Sequence, residues 1–371
     1  MMNEIILSAK TSHDQITDRI KNAFDYDVAS VGVVTKIKVP HDIPDDFSIG
    51  LIVGSSGSGK TTLLKTLFGY EDSPVFWDNS KCIASNFCSF EEASDKLGAV
   101  GLNSIPSWLK PYSVLSNGEK FRADLARKLH DGAVIDEFTS VVNREAAISC
   151  CVSVQKYIRQ NGLEKIVFCS CHDDIIPYLQ PDWVYNTDTH KLHPGRYLQR
   201  PEICIKVLRC GVGAWELFRH HHYLNEDLNK SSRCYLGTYN DIPVAFCAVL
   251  SMPSGTLKNS FREHRLVVLP DYQGMGIGNR FSETIAEIYV KDGNRYFSKT
   301  ANPRAGLHRD NSRLWRPTSK NHKARPDYLR QMVDYNGMLE LSKKHADRMC
   351  FSHEYIGKTV EGNVQDGCLH P

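Results

Sequence analysis

The chain lacks any long hydrophobic run. No window approaches the roughly 18 uninterrupted apolar residues that a helical membrane span requires. It also lacks the basic segment and apolar stretch of a secretory signal, since it opens Met1-Met2-Asn3-Glu4, so the cytoplasm is the default location. There is no excess of charge of either sign. Lys and Arg total 45 against 43 Asp and Glu, a net +2, which excludes a chain that coats nucleic acid along its whole length but leaves local patches open. The 12 cysteines form no CxxC pair and no repeated metal-ligand spacing, so most read as small buried hydrophobes. Cys169-Ser170-Cys171-His172 is the one cluster that hints at metal.

What is present is a globular composition, 41% hydrophobic and 24% charged, over a length that suits two domains. In the first half an apolar run, Ile49-Gly50-Leu51-Ile52-Val53, leads into Gly54-Ser55-Ser56-Gly57-Ser58-Gly59-Lys60-Thr61-Thr62 and then a helical stretch, Leu63-Leu64-Lys65-Thr66-Leu67. Strand, GxxxxGKT and helix are in the order of a P-loop. Its glycines let backbone N–H groups turn in on phosphate oxygens, Lys60 reaches the β- and γ-phosphates, and the Thr61 hydroxyl ligates Mg²⁺.

Three more signals follow in order. Leu115-Ser116-Asn117-Gly118-Glu119 opens an amphipathic helix with a serine cap. Val134-Ile135-Asp136-Glu137 is a strand ending in two carboxylates, Asp136 suited to binding Mg²⁺ and Glu137 to polarising a water. Ile166-Val167-Phe168-Cys169-Ser170-Cys171-His172 is a strand ending in a histidine.

Together these motifs resemble the ATP-binding cassette (ABC) ATPase family over roughly residues 20–200, and the first domain is set at 1–198. The resemblance implies a head-to-tail homodimer with two ATP molecules held between the P-loop of one subunit and the signature of the other. In that arrangement Ser116 and Gly118 cap the partner's γ-phosphate, Glu137 is the catalytic carboxylate, and His172 contacts the γ-phosphate. Glu91 to Leu102 looks like the family's helix leading to its signature. There are departures. No glutamine lies between Thr62 and Val154, where the family places one at a strand end, leaving Asn86 or Ser85 after Lys81-Cys82-Ile83-Ala84 as substitutes. Asn143 stands where an aspartate is usual. Only the 53 residues from Leu63 to Leu115 separate P-loop from signature, little room for a subdomain that docks on membrane subunits. Phe24 and Tyr26 are candidates to stack on adenine, or core residues.

A Pro/Gly/Arg-rich linker is expected at about 194–202. Beyond it, Cys234 to Leu250 reads as strand, Asn-Asp turn, strand, and Arg265 to Leu269 as a strand entering Gln273-Gly274-Met275-Gly276-Ile277-Gly278 and a helix. This form, Q-x-x-G-x-G after Val-Leu-Pro-Asp-Tyr, resembles the acyl-CoA pyrophosphate loop of GNAT N-acetyltransferases over about 203–358. The second domain is set at 203–360, with a tail at 361–371. The resemblance implies acetyl-CoA or a related acyl-CoA held by residues 273–278. The half is also distantly similar to Mom-type phage proteins that modify DNA bases. Arg295 to Thr300 and Phe351 to Gly357 read as strands, with Ala301 to Thr318 replacing the helix most relatives place there.

Two features stay open. Trp215 to Leu224 reads as one helix whose His221 and His222 are acid/base groups, metal ligands or simply its polar face. Residues 295–330 carry ten Lys or Arg against two Asp, with Tyr296 and Trp315 as stacking surfaces. That segment is a nucleic-acid surface, a binder of CoA phosphates or a solvated basic loop. The fold expected is α/β twice over: an ABC-type P-loop ATPase domain with a mostly parallel sheet, then a GNAT-like mixed sheet split at the acyl-CoA loop. The functions expected are an ATPase that governs N-acylation of a nucleic-acid base or another amine, or an ATPase that remodels a partner through an inactive recognition domain. A transporter subunit is a remote third, and no membrane partner is expected.

Overall fold

The computed structural model describes residues 4–9, 14–24, 33–195, 202–222, 226–252, 257–323 and 349–357. The chain divides into two compact units, one of Met1–Leu102 with Ser107–Pro201, the other of Asn103–Pro106 with Glu202–Pro371.

The first unit opens with β1 (Glu4–Ala9), α1 (Gln15–Phe24) and β2 (Val33–Lys38), the two strands pairing antiparallel. Next come β3 (Ile49–Val53), α2 (Lys60–Phe68), α3 (Phe90–Ala99), α4 (Ile105–Trp108), whose first two residues are grouped with the second unit, and α5 (Asn117–Lys128). The unit closes with β4 (Val134–Ile135), α6 (Arg144–Gln160), β5 (Ile166–Ser170), α7 (Ile176–Leu179), β6 (Trp183–Asn186) and β7 (Lys191–Pro194). The sheet order is β4-β5-β3-β6-β7; the first four strands are parallel and β7 is antiparallel to β6. β3 and β5 are buried along their whole length, which is why both read as unbroken apolar runs. Ile52, Leu63, Leu64, Val167 and Trp183 pack together in this core. Gly50 makes room for the indole of Trp183, because a Cβ there would lie 2.1 Å from the ring. Parallel order matters for function: the carboxyl ends of β4, β5 and β3 lie side by side, where ligands bind in open α/β sheets.

The second unit contains β8 (Lys206–Cys210), β9 (Arg233–Tyr239), β10 (Ile242–Ser251), β11 (Ser260–Val268), α8 (Ile277–Lys291), β12 (Arg295–Thr300), α9 (Pro303–Asp310), β13 (Trp315–Pro317) and β14 (Phe351–Tyr355). The sheet order is β13-β14-β12-β11-β10-β9-β8, antiparallel except between β11 and β12. Asn240 and Asp241, both at positive φ, form the expected two-residue turn. The parallel pairing of β11 with β12 stops after Arg262↔Phe297, so the sheet splits there. β11 also bulges at His264, since Ala248 faces Arg265 while Val249 faces Glu263.

Three expectations need correction. Trp215 to Leu224 is not one helix. It overlaps one 3-10 turn, Val212–Leu217, and contains another, Arg219–His221, while Tyr223 and Leu224 fall outside the described residues. Gly211 and Gly213 favour helix poorly, and the i, i+3 spacing of the buried pair Trp215 and Phe218 suits a three-residue turn. Second, a helix does follow β12: Asn302 caps α9 with its side chain and Pro303 stands at the first helical position, a start signal present in the sequence. Third, Ile83–Asn86 is a 3-10 turn, not the end of a strand. The burial expected of cysteine holds for six of the eleven described and fails for the exposed Cys88, Cys171 and Cys204.

Candidate functional site

Two glycine-rich turns, each at the N-terminus of a helix, form the candidate sites. In the first unit Gly57 (φ 80°) and Gly59 (φ 91°) take left-handed backbone that L side chains resist, and Gly59 caps α2 without a side-chain bond. The N–H groups of the first turn therefore point out of the helix with its positive dipole end. Lys60 is buried and curls back over the loop, its Nζ donating to the carbonyls of Gly54 (2.9 Å) and Ser55 (2.8 Å). Thr61 Oγ1 donates to Asp136 Oδ2 at 2.7 Å, although the two residues are 75 apart in sequence. Asp136 Oδ1 in turn accepts the backbone N–H of Glu137 at 2.9 Å. Cys169, fully buried on β5, faces this carboxylate; burial and the neighbouring Asp136 push its thiol up, so it stays protonated.

Glu137 is exposed, and His172 follows the end of β5 with its backbone N–H on Ser170 Oγ. The fold thus gathers Lys60, Thr61, Asp136, Glu137 and His172 at adjacent strand ends. Ser116 and Gly118 lie at the start of α5, where the Ser116 hydroxyl and Glu119 form a reciprocal capping box. Sequence reasoning missed two supports of the loop. Asp188 accepts from Ser55 N–H (2.8 Å) and Ser55 Oγ (2.7 Å), and Thr187 Oγ1 shares a hydrogen bond with Ser58 Oγ (2.6 Å). These residues follow β6 with no motif of their own. Asn86, a candidate metal contact, spends its amide on its own loop, donating to Cys82 O and accepting from Asp78 N–H. Ser85 shares its hydroxyl with Cys82 Sγ. Asn143 caps α6 through Ala146 N–H. The Phe24 side chain and Tyr26 lie outside the described residues.

In the second unit Gly274 (φ 89°) and Gly276 (φ 81°) shape the turn, and Gly276 caps α8, again without a side-chain bond. The Gln273 side chain ties the turn to β11 by donating to Val268 O at 2.7 Å. Gly278 packs close to β11, where a Cβ would reach Val268 at 3.4 Å. Met275 and Ile277 are buried, so only their backbone can serve a ligand. His222 is buried edge-on to Trp215 at 5.8 Å, and burial and His220 hold the His221 imidazole below its ordinary range. His264, at the bulge and unmarked by any sequence motif, is pushed down to about 4 by burial and the Arg265 and Arg262 cations. Among the described residues there is no group of three or more His, Cys, Asp or Glu that could hold a metal ion.

Part of the basic segment is held in ion pairs. Arg309 is 2% exposed, donates to Glu263 Oε1 at 3.0 Å and lies over Trp315 at 4.7 Å. Ser282 and Ser298 complete this buried network through the same carboxylate. Arg295 and Arg316 share Glu354, at 2.6 and 2.7 Å. Tyr296 and Trp315 are buried and offer no stacking surface. A charge count cannot see carboxylates brought in from other strands. Residues 324–330 of the segment lie outside the described residues.

Residues 202–309 match the Acetyltransferase (GNAT) family. A search of curated proteins finds no match. Among solved structures, a dimeric ATP-binding cassette in a post-hydrolysis state, bound to ADP and Pi, shares 14% identity over 53% of this chain and 97% of its own, with a TM-score of 0.36. The ribosomal-protein-S18-alanine N-acetyltransferase from Escherichia coli shares 12% identity over 43% of this chain and 99% of its own, with a TM-score of 0.30. An acetyltransferase from Bacillus subtilis in complex with CoA shares 14% identity over 42% and 98%, again with a TM-score of 0.30. No helix among the described residues is long and apolar enough to cross a membrane.

Proposed function

We propose that the chain is an ATP-hydrolysing cassette joined to an acyl-CoA-dependent N-acyltransferase, and that ATP-driven head-to-tail dimerisation controls the transfer. The observation that carries the ATPase reading is the 2.7 Å bond between Thr61 and Asp136. It puts the two groups suited to one Mg²⁺ together beside the Lys60 ammonium. The residues fit the nucleotide: the glycines leave the loop backbone open, Lys60 neutralises phosphate charge, and Glu137 is exposed where a water can reach it. Ser116 and Gly118 would complete the site of a second copy.

In the acyltransferase half, the α8 N-terminus and the turn at 273–276 would receive the pyrophosphate. The split between β11 and β12 leaves strand edge on which the acyl arm of the donor can pair. The bound acyl-CoA supplies a thioester for attack by an amine. Ion pairing occupies three of the ten cations of residues 295–330, and Tyr296 and Trp315 are buried, so the acceptor is proposed more broadly as an amine.

The test is a pair of measurements on the full chain. MgATP added to Glu137→Gln should give a stable dimer by light scattering, and acetyl-CoA should bind wild type with measurable heat. A Glu137→Gln protein that stays monomeric with ATP bound would end the dimer reading. Absence of acetyl-CoA binding at millimolar ligand would leave the second unit a recognition module.

A further inference from the structure

The loop after β4 carries two costs at one residue. Thr139 has φ 67°, a left-handed conformation that a β-branched side chain resists, and Glu137 two residues earlier has φ 50°. Thr139 is also fully buried, and its hydroxyl has no hydrogen-bond partner among the described residues. Such a conformation persists only where its surroundings hold it. Here Phe138 is the anchor: its N–H donates to Cys169 O at 2.8 Å and its ring packs 4.5 Å from Phe168. The turn carries the chain back on itself. Ser140 N–H reaches Glu137 O at 3.1 Å, and Ser140 Oγ donates to Glu137 Oε2 at 2.5 Å. Glu137 is exposed, and without this bond its side chain would be free to sample several rotamers.

We propose that Ser140 is the positioning residue of the ATPase site, fixing the Glu137 carboxylate so that its other oxygen faces the attacking water. The inference rests on the reading of Glu137 as the base. In that step the water oxygen bonds to the γ-phosphorus and its proton passes to Glu137 Oε1. The bond from γ-phosphorus to the bridging oxygen breaks, and its electron pair stays on ADP. Ser140 takes no part in the transfer; it removes the rotational freedom of the acceptor.

The test compares the isosteres Ser140→Thr and Ser140→Val, which share a shape and differ in the hydroxyl. The Val variant should lose roughly 10-fold in kcat relative to the Thr variant, the lower range for an orienting bond. KM for MgATP should be the same in both, because no phosphate contact changes, and equal Tm values would show that both are folded. Equal kcat in Thr and Val variants overturns the role of Ser140. Glu137→Gln with wild-type turnover overturns the base assignment instead, whatever the Ser140 variants do.

Discussion

The two glycine turns are alike in backbone and unlike in side chains. Gly59 and Gly276 both cap a helix in left-handed conformation, and both leave the first N–H groups without a side-chain cap. After the first come Lys60 and Thr61; after the second come Ile277 and Gly278. One turn thus adds a cation and a hydroxyl bonded to Asp136 to its N–H donors, while the other offers donors alone. The difference teaches that the backbone makes an anion cradle and the side chains decide how much charge it can manage. On the proposed function, a triphosphate with Mg²⁺ would occupy the first and a pyrophosphate the second. Packing differs as well: a Cβ on Gly59 would sit 2.4 Å from Ile37, and one on Gly276 would meet nothing within 4 Å.

Four outcomes would break or sharpen that contrast. The largest effect is expected for Glu137→Gln, which should lower ATP turnover by roughly 10² to 10⁴-fold while acetyl-CoA binding stays intact. Steady-state phosphate release checks it. Arg309→Ala should destabilise the second unit by about 3–5 kcal/mol, since it leaves Glu263 buried and unpaired, and should spare ATP hydrolysis. Thermal unfolding reads this out. The exposed Arg313→Glu serves as its control and should stay within about 0.5 kcal/mol of wild type.

Gly276→Glu should weaken acetyl-CoA binding by about 10- to 100-fold, because the carboxylate would compete for the same N–H groups, with ATP affinity unchanged. The smallest effect concerns pH. His264 has a folded value near 4 against an ordinary 6.5, so the unfolded chain binds more protons between those values. Its contribution to stability is therefore complete above about pH 6.5 and lost as pH falls towards 4. His264→Gln should flatten the acid limb of a Tm-against-pH curve, and an unchanged limb would remove His264 as its cause.

Sequence legibility followed the same divide between backbone and side chain. The P-loop, the strands just before Asp136 and His172, and the turn at 273–276 are local patterns, and the order of strand, turn and helix is as expected, although β4 stops at Ile135 and β5 at Ser170. What escaped depends on partners distant in sequence. Asp188 bonds Ser55 across 133 residues, and no local rule links them. Arg309 looked like one more surface cation because Glu263 lies 46 residues away on β11. The bulge at His264 arises from its register with β10, which a single strand does not display. α9 was the exception, a local signal in Asn302-Pro303 that the basic character of the segment obscured.

The claim that one chain carries two separate phosphate-binding turns is tested most directly by calorimetry in sequence. Wild-type protein is saturated with MgATP and then titrated with acetyl-CoA. One acetyl-CoA should bind per chain in the presence of saturating ATP. Loss of acetyl-CoA binding because ATP occupies its site would contradict it.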